Sequence, residues 1–217
     1  MRAAFHERLD SLFGDLAEIA VAVEAAVRRA TEALLTGDAA LAEQVISSDR
    51  EIDAARERVE ENAFELISLQ QPVATDLRVL ISALRMVSEL ERMGDLSVHV
   101  AKIARMRLPH IAVPEDVQPT IRGMAQVASE MVESVARIIA TRDVESALEL
   151  HEVDEEMDYL RRSSFSQLLA SDWAHGVEAA VDIALLGRYY ERIADHAVTL
   201  ANRVVFVVTG EKPGPSA

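Results

Sequence analysis

The 217-residue chain contains no cysteine, which excludes disulfide bonds and thiolate metal sites and fits a reducing compartment. Aromatic residues make up only 4% of it, whereas Ala, Leu, Val, Glu and Arg dominate, a composition that favours packed helices over a sheet. The eight glycines are scattered and form no phosphate-cradling loop. No Ser/His/Asp order indicates nucleophilic catalysis, so we do not expect an enzyme.

Long apolar runs and excess positive charge are also missing. Residues 1–7 have no apolar signal core, and the apolar run 204–208 is far too short to span a bilayer. The net charge is −15, and such a surface repels nucleic acid and anionic lipid. We therefore expect a cytoplasmic protein without direct nucleic-acid binding or membrane insertion, whose partners are cations or basic surfaces.

Apolar residues recur at helical spacing along almost the whole chain. Breaks are predicted at 36–38, 71–72, 108–119, 141–143 and 171–176, where Gly, Pro and capping Asp residues interrupt the pattern. Six long helices follow, and none can bury its apolar stripe alone. The sequence predicts an all-α fold of two tandem antiparallel three-helix bundles. We place the first in residues 1–110, the second in 115–210 and a flexible tail in 211–217.

One five-residue pattern occurs twice. Glu-Arg-Met-Gly-Asp at 91–95 returns as Glu-Arg-Ile-Ala-Asp at 191–195, an offset of 100 residues (191 minus 91). Both copies lie late in long helical segments, and a repeat of this length indicates two copies of one structural unit. The repeated carboxylate pair predicts that each unit carries the same site.

Each unit has a second acidic pair on its second helix, with a spacing of four residues that places both carboxylates on one helix face. In an antiparallel hairpin, residues equally distant from the turn lie side by side. The midpoints between the two pairs fall at the turn residue Pro72 in the first unit and beside Gly176 in the second. We therefore expect four carboxylates to converge in each unit. The first acidic cluster is Asp49, Asp53, Glu91 and Asp95, and the second acidic cluster is Asp154, Asp158, Glu191 and Asp195.

Four converging carboxylates repel one another unless cations neutralise them. Oxygen ligands favour magnesium, manganese, calcium or iron, whereas zinc usually also takes nitrogen or sulfur. One divalent ion cannot cancel four charges, so more than one ion per cluster is expected. Two alternatives stay open: a docking face for a basic partner, or solvated carboxylates in surface ion pairs with nearby arginines. Those arginines are Arg50, Arg92, Arg161 and Arg192.

Other residues near the motifs are weaker candidates. His196 follows the second motif and is either a ligand, a group beside the ligands or a surface histidine. We expect the last, because Leu96 stands at the equivalent place in the first unit. Gly94 and Ala194 are expected to permit close helix packing.

These motifs resemble the PhoU family of cytoplasmic regulators of bacterial phosphate uptake. The resemblance rests on the duplicated helix-three motif, the two Asp-x-x-x-Asp pairs and the segment Pro-Val-Ala-Thr-Asp-Leu-Arg at 72–78. It covers about residues 5–210.

The resemblance implies two three-helix bundles, usually in a homodimer, with metal ions, including iron clusters, on the acidic pairs. The resemblance also implies that all eight residues of the two acidic clusters are metal ligands. It also implies a link between the ATPase subunit of the phosphate ABC transporter and a sensor histidine kinase, which keeps the phosphate-starvation (Pho) regulon off when phosphate is plentiful. The family has His after the motif Asp in both repeats, so Leu96 predicts that the two sites differ in metal or occupancy.

We therefore predict a non-enzymatic negative regulator of phosphate uptake that binds iron, manganese, magnesium or zinc. The alternative is a metal-binding helical bundle with a storage, structural or interaction role and no part in phosphate signalling. A ferritin-like di-iron enzyme is disfavoured, because such sites use Glu-x-x-His on two helices and the chain contains no such motif.

Overall fold

A computed structural model describes residues 2–211 and contains no strand within that range. It confirms the predicted all-α fold with six long helices. Their bounds are α1 Arg2–Thr36, α2 Ala39–Gln70, α3 Thr75–Arg107, α4 Gln118–Thr141, α5 Val144–Leu168 and α6 Gly176–Thr209. The predicted tail beyond residue 211 lies outside the described residues.

The helix ends follow local chemistry. Gly37 ends α1 with a φ of 68°, a conformation that glycine adopts without steric cost. The Asp38 carboxylate accepts a hydrogen bond from the Leu41 amide at 2.9 Å and so caps α2. The break predicted at 108–119 is shorter than expected, because Pro119 lies in the first turn of α4. Proline suits this position because an amide there has no helical acceptor.

The two bundles pack side by side. Helices α1, α2 and α3 contact one another, as α4 does with α5 and α6, and α5 with α6. Between the bundles, α1 packs on α4 and α3 packs on α6. The helices therefore form two layers, with α2, α3, α6 and α5 in one and α1 and α4 in the other.

A single continuous hydrophobic core extends through both bundles. The helices pack against each other as extensively between the units as within them. The fully buried Tyr190 of α6, for example, has its hydroxyl 2.8 Å from Thr31 Oγ1 on α1. None of the helices described is both long and apolar enough to cross a lipid bilayer.

The central helices α3 and α6 run antiparallel. Arg78 contacts Val207, Glu89 contacts His196, and Arg107 contacts Asp182, so successive positions along α3 meet earlier positions along α6. This arrangement relates the two units by an approximate two-fold axis that passes between α3 and α6. It also places the two repeated motifs at the same level along the helices.

Candidate functional site

The first acidic cluster lies along the α2–α3 hairpin, whose turn spans residues 71–74. Burial, followed by the negative charges of Asp95, Asp53 and Glu91, raises the pKa of Asp49 to about 6. Burial and the charge of Asp95 also raise the pKa of Glu91. These mutual effects show that the fold brings all four carboxylates into one electrostatic environment.

The second acidic cluster lies along the α5–α6 hairpin. Burial, then the charges of Asp195, Asp158 and Glu191, raises the pKa of Asp154. Burial and the charge of Glu191 raise the pKa of Asp195. The hairpin midpoints therefore gather the predicted residues in both units. However, no three His, Asp or Glu side chains in the described part of the chain converge closely enough to hold one metal ion.

The two clusters differ in their cations. Glu191 is buried, and its two oxygens are taken by different arginines: Arg161 Nη1 lies 2.8 Å from Oε1, and Arg188 pairs with Oε2. Arg162 Nη1 lies 3.7 Å from Asp158 Oδ2. By contrast, no ion pair involves any member of the first acidic cluster within residues 5–211.

Two repeat-equivalent substitutions account for this difference. Arg56 and Arg161 occupy equivalent positions, but Arg56 has Glu60 one turn later and pairs with it at 3.4 Å. The position equivalent to Glu60 holds Phe165, so Arg161 lacks that partner and reaches Glu191 instead. The second arginine of the pair, Arg188, has Ser88 as its counterpart in the first unit.

The small residue in the first motif allows close packing of α2 and α3, as predicted. A Cβ built on Gly94 meets Ile52 Cδ1 at 3.1 Å and Asp49 Oδ1 at 3.5 Å. The first acidic cluster therefore lies where side chains of α2 pack directly against the α3 backbone at Gly94.

The expectation of a surface histidine at 196 was wrong. His196 is only 9% exposed, and its Nδ1 lies 2.6 Å from Glu89 Oε2 on α3. Its Nε2 is buried without a hydrogen-bond partner. The residue thus joins the two units. No sequence pattern predicts this contact, because the partner of His196 lies 107 positions away on another helix.

The ion-pair alternative holds for part of the second unit. Of the four arginines named as candidates, Arg161 pairs with a cluster carboxylate. Within the described residues, Arg50, Arg92 and Arg192 form no ion pair. Sequence reasoning missed Arg188, although it lies three residues before Glu191 on the same helix.

Both acidic clusters lie within the layer formed by α2, α3, α6 and α5. One lies between α2 and α3 and the other between α6 and α5, within a single layer and at one level. With packed helices about 8–10 Å apart, the clusters are separated by roughly two such spacings, about 16–20 Å. This layer thus presents two acidic strips side by side.

Comparison with known proteins identifies the architecture. The family model described as "PhoU domain" matches residues 16–104 and again 121–204, which together cover most of the chain. The chain belongs to the PhoU family. The two matched segments correspond to the two helical bundles, and each contains one acidic cluster.

Curated relatives extend this similarity over nearly the full length. The chain is 48% identical over 213 residues to "Phosphate-specific transport system accessory protein PhoU homolog 2" of Mycobacterium tuberculosis, covering 98% of this chain and 100% of the relative. It is 47% identical to "PhoU homolog 1" of Mycobacterium leprae, covering 98% and 96%.

A solved structure supports the fold. The crystal structure of PhoU from Pseudomonas aeruginosa superposes with a TM-score of 0.88 at 27% identity, covering 95% of this chain and 100% of that one. The side-by-side arrangement of two three-helix bundles is therefore shared with a solved PhoU protein.

The donor chemistry of the two clusters fits a metal unequally. The first acidic cluster has four carboxylates, the oxygen donors that hard divalent cations prefer, and within residues 5–211 none of them forms an ion pair, although Arg56 and Arg92 attract Glu91 from a greater distance. In the second acidic cluster, Arg161 and Arg188 already neutralise the most buried carboxylate. The second acidic cluster therefore has fewer carboxylate oxygens free of an ion pair than the first.

Proposed function

We propose that the protein is a negative regulator of phosphate uptake that acts by contact with other proteins rather than by catalysis. The observation that carries the proposal is the near-full-length similarity to relatives named as accessory proteins of a phosphate-specific transport system. In this role the chain binds the ATPase subunit of the phosphate transporter and a sensor histidine kinase, and holds the Pho regulon off in abundant phosphate. It works in the cytoplasm, as a homodimer.

Exposed apolar residues support a role in protein contacts. Leu69 is 63% exposed at the tip of the first unit, and Leu169 is 82% exposed at the tip of the second. Val73 and Val177, next to these turns, are also more than 70% exposed. Apolar groups clustered at a surface are typical of interaction sites.

Metal ions on the acidic clusters are the second part of the proposal. The carboxylates of the first acidic cluster would hold iron, manganese, magnesium or zinc, and the bound cation would offset the burial and the repulsion that raise the pKa of Asp49. A metal ion would also join α2 to α3 and stiffen the face they present to partners. In this proposal its role is structural.

The regulatory proposal is tested with a secreted-phosphatase reporter in cells that lack the gene, grown in abundant phosphate. We expect high reporter expression that the intact gene restores to low. Unchanged low expression in the deleted strain would contradict the proposal. With normal metal content in the purified protein, that outcome would favour the alternative of a metal-binding helical bundle without phosphate signalling.

The metal proposal has its own test. The double variant Asp53→Asn/Glu91→Gln keeps the side-chain sizes and removes two charges from the first acidic cluster. We expect elemental analysis of the purified variant to show a loss of one cluster's metal. Unchanged stoichiometry would overturn the ligand assignment, and full reporter repression by the metal-free variant would separate regulation from metal binding.

A further inference from the structure

The contact between α3 and α6 differs at its two ends. At one end Arg107 meets two carboxylates of the other unit: its Nε lies 2.5 Å from Asp182 Oδ2, its Nη2 lies 3.0 Å from Asp182 Oδ1, and its Nη1 pairs with Glu178. Asp182 is only 3% exposed. The chain thus provides a bidentate oxyanion for an arginine at this end.

At the other end, arginines outnumber carboxylates. Arg78 Nη2 donates to the Val207 carbonyl at 3.3 Å, while its Nε is buried without an acceptor. Arg85 on α3 and Arg203 on α6 lie between this contact and the Glu89–His196 pair, so the antiparallel register brings them to the same level. We refer to Arg78, Arg85 and Arg203 as the arginine group.

The arginine group lacks a counter-ion. None of its members forms an ion pair with any side chain of residues 5–211, and Arg203 Nε is buried without a hydrogen-bond acceptor. Glu89 attracts Arg203, but its Oε2 is already 2.6 Å from His196. Burial and the adjacent positive charge of Arg85 lower the pKa of Arg203, as expected for two guanidinium groups held together.

We propose that Arg85 and Arg203, assisted by Arg78, bind a small tetrahedral oxyanion of the phosphate class. Guanidinium groups present planar pairs of donors that match phosphate oxygens, and the bound anion would play the part that Asp182 plays for Arg107 at the other end. The net charge of −15 disfavours a polyanion such as nucleic acid. The half-buried position of Arg203 favours a small anion over a flat protein surface.

This site uses none of the eight carboxylates of the acidic clusters. An anion there would bridge α3 of the first unit to α6 of the second, beside the Glu89–His196 contact. Phosphate binding would therefore tighten the junction between the units. The site is independent of metal loading, so the experiment uses metal-free, full-length protein.

The test is calorimetric titration of the metal-free protein with inorganic phosphate at constant ionic strength, with sodium chloride as the blank. We expect one saturable site per chain. Arg85→Gln and Arg203→Gln should each weaken binding about tenfold or more, because each removes a charged donor pair. Arg203→Lys keeps the charge but loses the paired guanidinium donors, so its phosphate affinity should lie between those of the wild type and Arg203→Gln.

The control is Arg122→Gln, which removes an exposed arginine from α4 in the other layer. It should leave phosphate binding unchanged, and helical circular dichroism should confirm that every variant is folded. Equal binding of sulfate would support an oxyanion site and define its selectivity. Absence of saturable binding to the wild type, or equal affinity in the wild type and both glutamine variants, would overturn the proposal.

Discussion

The two acidic clusters have equivalent carboxylates on equivalent helices, yet within the described residues arginines form ion pairs only with those of the second. In the first unit Glu60 retains Arg56, and Ser88 provides no second cation. In the second, Arg161 and Arg188 both pair with Glu191. A duplicated ligand motif therefore does not define a duplicated site, because residues one helical turn away determine which cations the carboxylates contact.

The largest expected effect comes from exchanging these determinants. Phe165→Glu with Arg188→Ser gives the second unit the residues of the first, so Arg161 gains a partner at i+4 and Glu191 is freed. We expect manganese affinity at the second acidic cluster to rise by at least about tenfold, the equivalent of roughly 1.4 kcal/mol. Calorimetric titration of metal-free protein measures this change.

The reciprocal exchange serves as its control. Glu60→Phe with Ser88→Arg should direct Arg56 and the new arginine to Glu91 and weaken metal binding at the first acidic cluster. If both exchanges leave the two affinities unchanged, the arginines do not determine the difference between the clusters.

The next largest effect is a difference in the free energy of unfolding between variants of the two motif glutamates, Glu91 and Glu191. Glu191→Ala leaves Arg161 and Arg188 without their shared carboxylate, and because solvent reaches both arginines the loss of these ion pairs should cost about 1 kcal/mol. Glu91→Ala removes one of several mutually repelling carboxylates and should be neutral or stabilising. Urea unfolding of the metal-free variants at pH 7.5 measures both, and equal losses would contradict the comparison.

A third, smaller effect is the dependence of protein stability on the protonation of the first acidic cluster. The pKa of Asp49 is about 6 in the folded state against 3.8 ordinarily, so the folded state binds the proton more tightly. The stability gained from this tighter proton binding is fully present below about pH 4 and is lost as the pH rises through 6. Asp49→Asn should therefore stabilise the metal-free protein at pH 7.5, on the order of 1 kcal/mol after solvent screening, and have little effect at pH 4.

Urea unfolding at the two pH values measures this difference. Asp172→Asn, in the exposed α5–α6 turn, is the control and should show no such pH-dependent gain. A stabilisation by Asp49→Asn that is equal at both pH values would exclude relief of charge repulsion as its cause.

The smallest effect concerns the residue between the motif carboxylates. Gly94→Ala gains about 1 kcal/mol of helix propensity, but its methyl group requires Ile52 Cδ1 to shift from a 3.1 Å contact. We expect the two terms nearly to cancel, to within about 0.5 kcal/mol, whereas the reverse change Ala194→Gly should lose about 1 kcal/mol. Thermal unfolding of both variants checks this, and a large loss for Gly94→Ala would show that Ile52 cannot adjust.

Contacts within each unit could be predicted from the sequence because they follow from helical period and turn position. The midpoint at Pro72 correctly paired α2 with α3 and gathered Asp49 with Asp95. Helical period and turn position do not predict the contacts between the units. The burial of His196 against Glu89 and the grouping of Arg85 with Arg203 depend on how α3 docks on α6, which no local spacing encodes.

The ion pair of Arg161 could be predicted from the sequence only in part. Its i+4 neighbour, Phe165, is visible in the sequence, and comparison with the equivalent Arg56 and Glu60 would have revealed that the arginine lacks a local partner. That it then turns to Glu191, rather than to solvent, depends on the distance across the hairpin, which only the structure provides.

The approximate two-fold axis between α3 and α6 has an evolutionary consequence. A half-length ancestor with this architecture would have been a homodimer, because its α1 and α3 faces need an apolar surface to cover them. In such a dimer every mutation appears twice, so both acidic clusters must remain identical. In one chain joined through residues 108–117 that constraint is absent, so the two clusters can differ, as they do in their ion pairs with arginines.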